Sequence, residues 1–144
     1  SGAYIVAGKG RDGMFYTPEM SRRARIFEIW SALKFLGKTG LEQMISGFHE
    51  RAIQFKEELT KAGFDIANDV VFNQVLVRCE TDELTIQTLK NIQKLRVCWC
   101  GGSKWENRDV IRLSICSWVT TKKDVSLSVK YFIEARNLAK LDAH

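Results

Sequence analysis

Met20, Ala24, Phe27, Trp30, Leu33 and Leu36 recur at helical spacing until Gly37 interrupts them, which predicts a first helix. Thr17-Pro18-Glu19 marks its start with a capping oxygen, a first-turn proline and an acid near the positive end of the dipole. Thr39-Gly40-Leu41-Glu42 has capping-box spacing. Leu41, Met44, Ile45, Phe48, Ala52, Phe55 and Leu59 then carry a second helix to Gly63. Beyond Gly63 the period shortens. Residues 64–67 and 72–79 read as strands, with Asn68-Asp69 as turn material. Thr81 caps a third helix bearing Leu84, Leu89, Ile92 and Leu95. Residues 97–100 are expected to be a strand, followed by Gly101-Gly102 and a polar connection through Asn107. Residues 110–119 form the strongest strand signal, and Thr121 and Asp124 open a last helix. Residues 3–7 read as a short, isolated strand. The order predicts an α+β domain, a mostly antiparallel sheet with helices largely on one face.

A chain of 144 residues holds one domain comfortably and buries enough surface to need no staples. Its 45% hydrophobic and 27% charged residues are an ordinary globular mixture, and no apolar run is long enough to span a bilayer. The start, Ser1-Gly2-Ala3-Tyr4, lacks an initiator Met and the layout of a signal peptide, so a processed or excised chain is expected. The net charge of +5 comes from interleaved acids and bases. The densest cluster, Arg22, Arg23 and Arg25, fills one helical turn, so neither a nucleic-acid nor a membrane partner is expected.

Several motifs fail on context. Gly8-Lys9-Gly10-Arg11-Asp12-Gly13 spells a dinucleotide fingerprint, but its glycines open no helix. Gly37-Lys38-Thr39 resembles the end of a phosphate loop, yet it follows a helix and lacks the earlier glycine. Cys98-Trp99-Cys100 is a C-x-C, which in a strand puts both thiols on one face as core residues. With Cys79 and Cys116 they are expected to be reduced thiols of a cytoplasmic protein, with no metal site. His49 and His144 have no neighbouring ligands, and His49 is expected on a helix surface. Spacing alone shows no catalytic machinery.

One residue stands out chemically. Alternation puts Ile111, Leu113 and Ile115 on one face and Arg112, Ser114 and Cys116 on the other. An arginine in so apolar a strand needs a carboxylate, a phosphate or water opposite it. Its planar fork suits bidentate carboxylate binding, and an internal ion pair is the plainer alternative.

The stretch from Ser21-Arg22-Arg23-Ala24-Arg25 through Trp30, Lys34, Gly37 and Gly40 to Ile45 resembles the helix pair after the cofactor domain of group II pyridoxal-phosphate (PLP) decarboxylases. That family includes aromatic amino-acid, glutamate, cysteine-sulfinate and diaminobutyrate decarboxylases. Ile111-Arg112-Leu113-Ser114-Ile115-Cys116-Ser117, with Thr120-Thr121 and Asp124, resembles its last strand and final helix. Asn68-Asp69-Val70-Val71-Phe72-Asn73-Gln74-Val75 and Cys98-Trp99-Cys100-Gly101-Gly102 resemble a bacterial branch. The resemblance implies the small C-terminal domain of a fold type I PLP enzyme. Residues 1–16 would be a connection from a missing large domain, and residues 17–144 the small domain with its lead-in helices. It implies Arg112 as a substrate-binding residue and Arg22 as an anchor at the domain junction. The Schiff-base lysine and the other cofactor-binding residues would precede Ser1, so the parent would be a PLP-dependent homodimer acting on an amino acid. This chain alone would bind no PLP, hold no catalytic residue and be inactive. A stand-alone α+β binding or regulatory module, or an inactive decarboxylase-like protein, are the alternatives.

Overall fold

The computed structural model describes residues 26–142. Compactness divides the chain into two units, one through Met44 and one from Ile45. Seven elements follow in order: α1 (Ile26–Lys61), β1 (Asp65–Ile66), β2 (Gln74–Arg78), α2 (Asp82–Leu95), β3 (Gly101–Trp105), β4 (Arg108–Ser114) and α3 (Lys122–Leu141). The expected strand at residues 3–7 and the helix start at Thr17 lie outside the described residues. Gly37 interrupts α1 at φ 63°, ψ −173°, backbone that only glycine adopts readily, so the expected break falls there. In the first unit, Phe27, Trp30, Leu33 and Phe35 on α1 are all exposed.

The second unit holds the core. Its sheet runs β1-β2-β4-β3, antiparallel throughout. Val75, Val77, Ile111, Leu113 and Ile115 on the inner face meet Ala52, Phe55 and Leu59 of α1, Ile92 of α2, and Val125, Val129, Phe132 and Ala135 of α3. All three helices therefore supply the core on one side of the sheet, the α+β arrangement that the order of elements predicts.

Local chemistry explains the ends. Gly63, at φ 80°, closes α1: its N–H donates to the Thr60 carbonyl and the Phe64 N–H to the Leu59 carbonyl. Thr81 caps α2 by accepting from the Leu84 N–H. Thr121 and Asp124 form a reciprocal capping box on α3.

Two expectations are corrected. The strand expected at 97–100 starts later, at Gly101, and the supposed polar connection is strand β3 itself. The turn sits at Glu106 and Asn107, both with positive φ, the geometry of a two-residue hairpin. The strand expected over 110–119 is Arg108–Ser114, because beyond it the chain turns at Ser117, whose carbonyl accepts from the Thr120 N–H.

Candidate functional site: the outer face and open end of the sheet

The outer face begins with register. Arg112 lies between Leu76 of β2 and Gly101 of β3. It is half-buried, whereas its neighbours Ile111 and Leu113 are buried in the core. Alternation thus puts it on the outer face as expected, beside a glycine that leaves open space. Arg78 shares that face, with its guanidinium held by Asp65 at 2.6 Å. Arg22 lies outside the described residues.

An open groove of about 460 Å³ lies at one margin, lined by Phe72, Gln74, Leu76 and Trp105 among others. Asn68 organises the loop beside it: its Oδ1 accepts from the Leu76 N–H, and its Nδ2 donates to the Asp69 and Gln74 carbonyls. Asn73 ties the same loop to β4 by donating to the Ile115 carbonyl. These asparagines lie in the segment that resembles the bacterial branch, and their work here is structural.

A second groove of about 220 Å³ opens where β3 and β4 part. Phe55, Leu113 and Ile115 line its core side, and Cys98, Trp99 and Cys116 its mouth. Sequence reasoning missed this feature, because it depends on where β3 leaves the sheet. Cys98 and Cys100 precede β3 rather than sit in a strand. Cys100 is still buried, whereas Cys98 is only half-buried. All four cysteines are free. Burial raises the thiols of Cys79 and Cys98, and pushes Cys100 up to about 12. The shift disfavours the reactive thiolate at all three. Beside the groove, hydrogen bonds from Thr121 hold the Asp124 carboxyl below the usual carboxylate range.

His49 is half-buried rather than on the surface, with Nε2 3.3 Å from the Val70 carbonyl. Among the described residues no cluster of His, Cys, Asp or Glu could hold a metal, and no helix is long and apolar enough to cross a membrane.

The described residues do not fit PLP. A Schiff-base lysine needs a sheltered site, and no described lysine is buried. Lys104 and Lys140 are committed to Asp109 and Glu80, and neither sheet groove contains a lysine.

No family model matches the sequence. Solved structures do match. Oryza sativa TDC, solved with PLP and tryptamine, superposes with a TM-score of 0.72 at 14% identity, over 77% of this chain and 26% of its own. Catharanthus roseus tryptophan decarboxylase, in complex with L-tryptophan, gives 0.72 at 18% identity over 78% and 26%. Rhodiola rosea 4-hydroxyphenylacetaldehyde synthase gives 0.72 at 21% identity over 82% and 27%. This chain therefore has the fold of about a quarter of each of those proteins.

Proposed function

We propose that this chain is the C-terminal portion of a PLP-dependent amino-acid decarboxylase whose cofactor lysine lies upstream of Ser1. The unequal coverage carries this reading: most of this chain matches about a quarter of each neighbour. The exposed apolar residues of α1, Phe27, Trp30, Leu33 and Phe35, support it, because such a face is what a detached domain junction exposes. Residues 1–16 are then the connection from the large domain, and residues 17–144 the small domain with its lead-in. The parent is a cytoplasmic homodimer, and Arg22 anchors the junction.

Arg112 contributes to substrate binding in the parent. Its fork suits a side-chain carboxylate, or orients the substrate, in preference to the carboxylate that departs. An arginine that tightened the ground state of the leaving group would slow the reaction. When bound, PLP supplies the electron sink, and the described residues include no sheltered lysine to hold it. The 144-residue chain alone therefore binds no PLP and is inactive.

Sequencing the coding region upstream of Ser1 and expressing the whole reading frame tests this. A long upstream region with a His-Lys pair is expected. The parent should keep a pyridoxal absorbance band through dialysis and release carbon dioxide from an amino acid, and the 144-residue chain should do neither. Arg112→Leu in the parent should lower kcat/KM by roughly 10–100-fold, about 1.4–2.8 kcal/mol. A start codon directly before Ser1, or a dialysis-stable band on the 144-residue chain, would overturn the reading.

A further inference from the structure

The end of the sheet is unfinished on one side. In β4, pairing with β2 uses alternate residues, and the series runs on to Ile115, whose N–H donates to the Asn73 carbonyl. The backbone groups of Arg112, Ser114 and Cys116 therefore point the other way, toward β3. Arg112 finds a partner there in Gly101, the last pair of the β3–β4 ladder. Beyond it no backbone hydrogen bond joins residues 97–100 to Ser114 or Cys116.

The strands part for a visible reason. Gln93 of α2 donates to the Cys100 carbonyl, on the side away from β4, at 3.0 Å and so anchors the chain before β3 to α2. Cys98 and Ser128 of α3 line the same groove. The Gln93 contact holds the chain toward the helices, and the 220 Å³ groove lies in the gap. Trp99 is 83% exposed at its mouth, and Trp118, just past the open edge, is 79% exposed.

A bare strand edge beside an apolar slot is suited to an added strand: the backbone supplies hydrogen bonds, and one side chain fills the slot. We propose that an extended apolar segment of the remaining parent polypeptide pairs with Ser114 and Cys116 and places a large apolar side chain in this groove. The inference rests on the decarboxylase reading. Within it, about three quarters of the length of the neighbouring chains lies outside this one, so a tethered occupant is present at high effective concentration. Permanent cover also accounts for two tryptophans that would otherwise stand in water.

Amide hydrogen exchange on the holo parent and on the 144-residue chain tests the pairing. The Ser114 and Cys116 amides should exchange at least roughly tenfold more slowly in the parent. Cys116→Pro removes one groove-side donor that makes no hydrogen bond among the described residues, and should abolish the extra protection at Ser114. Cys116→Ser should keep it. The 144-residue chain carrying Cys116→Pro should melt where the unsubstituted chain does, which separates loss of pairing from loss of fold. Equal exchange in both proteins, with PLP bound and decarboxylation measured in the parent, would overturn the inference and leave the functional reading standing. A reading frame with no upstream cofactor domain would overturn both.

Discussion

The Arg136 guanidinium lies 4.0 Å from the centre of the Phe64 ring, and its two Nη groups donate to the Ala62 and Gly63 carbonyls. One side chain on α3 thus closes the end of α1, where carbonyls have no helical partner. Hydrogen bonds to a charged group contribute about 1.5–3 kcal/mol and the ring contact about 0.5–1. Arg136→Leu should therefore destabilise the chain by about 2–4 kcal/mol in urea titration, and Arg136→Lys should recover only part of this because its point charge cannot fork. The thiols should separate just as clearly. Cys116 is exposed, while burial raises the other three, so one thiol should react quickly with a disulfide reagent in the native chain and Cys116→Ser should abolish that phase. Asp124 sets a pH dependence. Its folded pKa lies below the usual 3.8, so its contribution is present above that value and is lost as pH falls through the folded pKa. Between about pH 5 and about pH 2, Asp124→Asn should lose less stability in urea titrations than the unsubstituted chain.

At the scale of elements, caps were readable and one hairpin was not. Thr81, Thr121 with Asp124, Gly37 and Gly63 each declared a helix boundary, because capping depends on residues within a few positions. Gly101-Gly102 looked like the punctuation after a strand and is the beginning of one, since Gly102 lies against Leu89 of α2, where a larger residue would crowd. The turn chemistry rested on Asn107, with Glu106 an unusual companion in left-handed backbone. Replacing Glu106 by Asn should relieve that strain and raise stability by about 0.5–1 kcal/mol, read from the thermal midpoint. Arg112 was placed on its face by simple alternation. The unpaired edge at Ser114 and Cys116 was not foreseeable, because it depends on how the chain before β3, anchored by Gln93, meets a strand formed later in the sequence.

For the molecule as a whole, the division at Met44 matters most. Among the described residues, the core cluster and what packs on it draw on nothing before Phe48. A chain begun at Ile45 should therefore unfold cooperatively, with a midpoint within about 4–8 °C of the 144-residue chain. Absence of a cooperative transition would show that the earlier residues are required for folding.

Synthesis order gives the Arg136 contact a further meaning. The carbonyls it closes are made more than seventy residues before it. At ribosomal rates of about 5–20 residues per second, the end of α1 waits roughly 4–15 s for its partner. During that interval α1, the sheet and α2 exist without the helix that supplies Val125, Val129 and Phe132 to the core. A ribosome that stops inside α3 would release an unsealed product, so the codons of α3 decide between a folded chain and a substrate for proteolysis.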